Sequence, residues 1–296
     1  MEEPGFWRSE NEWPPKRNIN TPFYFHFKGE LSSIHPMNED ESNDKYVYNS
    51  SVGITTGIFW GGGIMPWAMP VDQRYDESLS LNYTSPPLDE NVEITGNPLA
   101  ILYVASSAKT AYFHVKVTDV AQDGTSKWLT DGGMLGTHRE SHSDPEELFP
   151  EKIFELKIAL KFISYIIPKG HCLRISISSA DFQNAWPTGD PAINSLYRDK
   201  KHPSHIVLPI TPYQNSDLPI PYFKPSPRGP ATIEEVPKDT KYEIKHDFVK
   251  DKVRVKLKRD GFARAAEGLA ASTYSVSRET SWVRTLTATS RCRRGS

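Results

Sequence analysis

The stretch Gly170-His171-Cys172-Leu173-Arg174 sets an imidazole beside one of only two cysteines in the chain. A cysteine nucleophile needs a lowered pKa and a base close in space, and that base usually comes from a distant part of the sequence. From Cys172 onward the residues alternate polar and apolar, as a strand does. Adjacent strand residues point to opposite faces, so His171 and Cys172 are expected to diverge. The pair reads as the entry to a core strand. Leu173, Ile175 and Ile177 are expected to face the core, and Arg174, Ser176 and Ser178 to face away from it. Gly170 is expected to supply the turn before it.

The other sets with suitable chemistry have poorer spacing. His138 and His142 stand i, i+4, a zinc spacing on a helix, but H-E-x-x-H is absent and the segment is polar and turn-like. Asp119, Asp123 and Asp131 are spread over turns and form no calcium loop. The glycines between Trp60 and Trp67 lack the strand before and the helix after that a phosphate cradle requires. No metal and no cofactor is expected. No G-x-S-x-G elbow occurs, so the serine of an α/β-hydrolase has no place here. Asp72, Gln73 and Arg74, with Asp76 and Glu77, form either a solvated turn or a polar knot that holds a long loop through bonds to backbone.

The elements that must position these residues read as strands. The chain has 296 residues, 24 prolines and 18 glycines, a composition of many turns and short strands. "TPFYFHFKGEL", "LSLNYTS", "VEITG", "LAILYVASS", "AYFHVKVTDV", "KWLTDGGMLG", "CLRISISSADF" and "SHIVLPI" follow one another at strand spacing. "AQDGTS" supplies a hairpin turn at Asp123-Gly124. "KIFELKIALKFISYIIPKGH" is long enough for a helix, yet its alternation favours two strands with a turn. No βαβ alternation is visible, so an all-β sandwich or jelly roll is expected. Residues 46–77 read as a long irregular loop. A proline-rich linker or strap (211–240), a β-hairpin (241–262) and a poorly ordered tail (263–296) follow the main domain (1–210).

Composition excludes some functions. The net charge is −2. Residues 241–296 hold 14 basic and 6 acidic side chains, but the basic ones alternate with apolar ones, the pattern of a solvated strand face rather than a nucleic-acid tail. No run of about 18 apolar residues is present, so no membrane contact is expected. The first residues lack an apolar signal core, which suggests a cytoplasmic protein.

Taken in order, "WRSENEWPP", "FYFHFKGELS", "DQRYDE", "LNYTSPPLDENVEITGNPLAILYVASS", "HRES" and "GHCLRISISSADF" resemble the C-terminal domain of the X-prolyl dipeptidyl-peptidase and CocE/NonD acyl-hydrolase family, over residues 5–210. The resemblance implies a jelly-roll β-sandwich similar to galactose-binding domains. It also implies a partner: in the family this module packs on an α/β-hydrolase domain with a Ser-Asp-His triad, which cleaves esters or X-prolyl dipeptides. No triad residue maps onto this chain, which alone is expected to be inactive. Two departures stand out. Lys109-Thr110-Ala111-Tyr112 replaces the family's Asp-Thr-Asp-Phe, and Cys172 replaces an arginine. After the hairpin the resemblance weakens, and from about residue 275 a truncated or frame-shifted terminus is suspected. Candidates for a domain interface or pocket wall are Trp7, Trp13, Tyr24, Trp60, Trp67, Asp72, Gln73 and Arg74; an open apolar surface there would imply a missing domain. The competing reading is a free-standing module that binds a carbohydrate or other ligand, with Trp60, Trp67 and Trp128 as aromatic platforms.

Overall fold

The computed structural model describes residues 5–55, 72–182, 184–185, 188, 192–212, 219–224, 234–250, 252–264, 271–283 and 286–292, with backbone alone for 234–242 and from 257 onward. The elements are β1 (Ile19–Phe25), β2 (Leu31–Ser32), β3 (Asn43–Val47), α1 (Arg74–Glu77), β4 (Leu81–Thr84), β5 (Val92–Gly96), β6 (Leu99–Ser106), β7 (Tyr112–Val120), β8 (Ser126–Leu135), β9 (Phe154–Ala159), β10 (Ile163–Ile167), β11 (Cys172–Ser178), β12 (Ile193–Tyr197), β13 (His205–Ile210), β14 (Glu234–Asp247), β15 (Lys252–Arg264), β16 (Ala271–Val283) and β17 (Leu286–Cys292).

Two antiparallel sheets face each other, an all-β sandwich. The large sheet runs β10-β5-β13-β6-β12-β3, with β1 beside β13, β2 beside β1 and β9 beside β6. The small sheet runs β4-β11-β7-β8. Alternation decides which residues meet between them. Ala100, Leu102 and Val104 of β6, Leu156 and Ile158 of β9, and Ile206 and Leu208 of β13 form one inner face. Phe113, Val115 and Val117 of β7 and Leu173, Ile175 and Ile177 of β11 form the other, all in one buried cluster. Each fully buried residue of this size stabilises the fold by about 1.5–3 kcal/mol before entropy is counted. Phe25 stacks on Tyr83 at 4.4 Å within this core. The Tyr83 hydroxyl donates to Asp44 Oδ2 at 2.7 Å, and Arg198 Nε donates to the same oxygen at 2.8 Å. A buried phenol is thereby satisfied across the two sheets.

The ambiguous stretch 152–171 forms β9 and β10, which add to different strands of the large sheet, β6 and β5. Asp123 and Gly124 make the β7–β8 turn: Thr125 N–H donates to Asp123 Oδ1, and Gly124 has a φ of 84°. A third sheet, β14-β15-β16-β17, follows. Its first two strands pair as a hairpin. Beyond residue 262, where the sequence shows no periodicity, β16 and β17 extend the same sheet. Val253 and Val255 of β15 pack with Ile54 and Phe182 in a small apolar cluster that joins this sheet to the sandwich, while Arg254 and Lys256, which alternate with them, are exposed.

Candidate functional site

The His171–Cys172 pair divides as strand geometry requires. Gly170, at a φ of 81°, turns the chain into β11. His171 Nδ1 lies 2.7 Å from Asp119 Oδ1, and Tyr165 of the opposite sheet donates its hydroxyl to Asp119 Oδ2 at 3.0 Å. Cys172 points to the opposite face of the strand from His171, the face that also carries Arg174. Burial pushes its thiol up, against a smaller pull from the Arg174 charge. A thiol held protonated is no nucleophile at neutral pH. The imidazole, the carboxylate and the phenol form a brace between sheets.

Asp72, Gln73 and Arg74 sit at the single turn of α1, which covers the outer face of the small sheet. Asp72 Oδ1 accepts from the backbone N–H groups of Arg74 and Ser126, and Arg74 Nε donates to Asp72 Oδ2 at 2.8 Å. The hydrogen bonds from Arg74 outweigh burial and hold the Asp72 carboxyl below its usual range. Gln73 is buried, and its Oε1 accepts from Lys116 Nζ at 2.9 Å. The segment is thus tied to the sheet. Its strongest anchor is Glu77, at 3% exposure. Glu77 Oε1 accepts from Thr118 Oγ1 and Ser126 Oγ, and its Oε2 accepts from Arg174 Nη1 at 2.6 Å. Sequence reasoning placed Glu77 in the cluster but missed Arg174, 97 residues away. The polar alternation of β11 was the available signal, since Arg174 faces out.

The aromatic candidates fall in separate places. Trp7 packs on Phe223 with ring centroids 4.7 Å apart, and Trp13 meets Phe162 edge-on at 6.4 Å. Both pairs flank the β10–β5 edge of the large sheet: Phe162 precedes β10, and Arg8, next to Trp7, donates to Glu93 of β5. Phe6, Trp7, Trp13 and Phe162 are 72%, 70%, 54% and 73% exposed. Tyr24 is half-buried on β1 between the rings of His35 and His205, each at 4.9 Å. Trp60 and Trp67 lie outside the described residues. The structure therefore brings Trp7 and Trp13 to one edge, and sets Tyr24 and the Asp72 group elsewhere.

The metal candidates also separate. The rings of His138 and His142 are 5.4 Å apart, and these two side chains belong to no group of three ligating residues among those described. Asp119 holds His171, Asp123 caps its own turn, and Asp131 bonds Lys161 Nζ through both oxygens at 2.9 and 3.0 Å. Burial alone would raise the Asp131 carboxyl; bonds from His114 and Lys161 overcome it and bring the carboxyl down to about 2. Ala111, where a carboxylate was expected by resemblance, is buried in the core.

The profile of the X-Pro dipeptidyl-peptidase C-terminal non-catalytic domain matches residues 1–216. The chain belongs to this family. The cocaine esterase of Rhodococcus sp. (strain MB1 Bresler) is 31% identical over 231 residues, which take in 69% of this chain and 40% of the esterase. A putative serine esterase of Mycobacterium bovis is 28% identical over 225 residues, 69% of this chain and 35% of that protein. Two solved structures share the fold of this X-Pro dipeptidyl-peptidase C-terminal domain. An aminopeptidase from a marine sediment Thaumarchaeota archaeon matches with a TM-score of 0.63 at 22% identity, covering 70% of this chain and 39% of that one. An α-amino acid ester hydrolase matches at 0.59 and 21%, covering 64% and 36%. The chain thus spans well under half the length of the relatives it matches, and among the described residues no helix is long and apolar enough to cross a membrane.

Proposed function

We propose that this chain is the accessory module of a CocE/NonD-type serine hydrolase, acting on esters or X-prolyl dipeptides only together with an α/β-hydrolase domain. The observation that carries this reading is the row of open aromatic rings at the β10–β5 edge, Phe6, Trp7, Trp13 and Phe162. Large apolar side chains left in water at one edge, in a chain much shorter than its relatives, favour a missing neighbour. The proposed unit boundaries are 1–210 for the module and 211–233 for a strap leading to the terminal sheet, shorter than the expected 211–240 because β14 begins at Glu234.

The test mixes the purified chain with an α/β-hydrolase domain taken from one of the relatives or encoded beside it. A complex on gel filtration is expected, and Trp7→Asp with Trp13→Asp should abolish it. Alone, the chain should turn over neither an ester nor an X-prolyl substrate. Turnover by the isolated chain, or a complex indifferent to both tryptophans, would sink the reading. Retention of a glycan without any such complex would favour the free-standing module.

A further inference from the structure

The outer face of the small sheet holds a second polar cluster, independent of the docking edge. His114 of β7, Asp131 of β8 and Asp181, three residues beyond β11, each offer one ligand atom, and these atoms all lie within 4.8 Å of one another. Their exposures are 1%, 6% and 2%. His114 Nε2 stands 3.2 Å from Asp131 Oδ2 and 3.5 Å from Asp181 Oδ2. One imidazole N–H serves one carboxylate well, and here two compete for it. Asp181 Oδ1 and His114 Nδ1 are left without a hydrogen-bond partner; Lys116 Nζ approaches Asp181 Oδ1 only to 3.8 Å. A buried carboxylate oxygen without a donor is costly, and a cation relieves that cost.

The spacing suits a particular kind of cation. Zinc bonds of about 2.0–2.1 Å to histidine nitrogen and carboxylate oxygen put tetrahedral ligands about 3.3 Å apart. The two measured separations bracket that value. We propose that His114 Nε2 and the carboxylates of Asp131 and Asp181 form a binding site for a divalent transition metal, with zinc the best match to the donor set. Asn184 Nδ2 donates to Asp181 Oδ2 at 2.6 Å, the kind of outer bond that orients a ligating carboxylate. The competitor is Lys161, whose Nζ bonds both Asp131 oxygens. Its side chain is 37% exposed, so it can swing into water as the metal enters. The role is structural. Phe182, next to Asp181, donates its N–H to Val52 O at 2.9 Å and packs with Ile54, Val253 and Val255. A metal on Asp181 would therefore pin the junction between the sandwich and the terminal sheet.

Zinc ion alone is the probe, added to the full chain after chelator treatment. Calorimetry and metal analysis should find one equivalent bound, with a rise in Tm, and cobalt in its place should show the visible absorption of a tetrahedral site. His114→Gln and Asp181→Asn should lose the equivalent. Lys161→Met, which removes the competing ammonium on the solvent side, should bind zinc with a lower Kd than the parent. The proposal is overturned if neither the parent nor Lys161→Met, both folded by circular dichroism, binds stoichiometric zinc. It is equally overturned if His114→Gln keeps the full equivalent, which would move the metal to surface histidines such as His138 and His142.

Discussion

At the scale of single residues, the chain spends its buried charges on bracing. Glu77 is the clearest case: three donors from three strands converge on one carboxylate. Glu77→Ala removes the acceptor and strands a partly buried Arg174, so a loss of about 3 kcal/mol is expected, measured by urea unfolding. Glu93 ties the N-terminal segment to β5. Burial alone would raise its carboxyl, but hydrogen bonds from Arg8 and Thr95 prevail and hold it below its ordinary 4.5. A carboxyl depressed in the fold contributes stability that is complete above 4.5 and is lost as pH falls through the folded value. Release of the N-terminal segment, followed by fluorine NMR of fluorotryptophan at Trp7 and Trp13, should therefore rise on acidification below that point. In Glu93→Gln it should be raised already at neutral pH. The facing of Leu173, Ile175 and Ile177 was legible in the sequence because a strand has a period of two. The partners of Asp119, Glu77 and His114 were not, because they are set by register between strands distant in sequence and leave no local spacing to read.

At the scale of elements, alternation predicted the strands of the sandwich other than β3 and β12, which pair with each other, and it predicted the division of residues 152–171 into β9 and β10. It did not reveal that the polar face of the small sheet is itself covered. Ser176 and Ser178 are expected to face away from the core, yet on that outer face they are still buried. The length of the irregular connection before α1 hid this, since a loop's course over a sheet follows from tertiary bonds such as Lys116 to Gln73. Gly53 shows how tightly that covering fits. It has a φ of 94°, and an added Cβ would meet the backbone oxygen of Phe182 at 2.4 Å. Gly53→Ala is thus both strained and blocked, and should cost more than about 1 kcal/mol. The loss should appear as a lower midpoint in thermal unfolding, together with easier proteolytic release of β14–β17.

At the scale of the whole molecule, the sandwich carries its own core, and the terminal sheet adds to it through a small apolar contact at Val253 and Val255. The exposed aromatic edge belongs to this scale as well. The tryptophans were visible in the sequence as an unusual entry, but their openness was not, because exposure depends on what else the chain could have laid over them. The double covering of the small sheet has a consequence for its dynamics. β7 has apolar packing on one side and the polar layer of α1 and Asp181 on the other, and every residue from Phe113 to Val120 is buried. Its backbone protons can meet water only when both coverings have lifted. In deuterium oxide, the amides of Val115, Val117 and Ile175 should therefore be the last to exchange, at a rate set by global unfolding. Those of the open edge strand β3 should exchange orders of magnitude sooner.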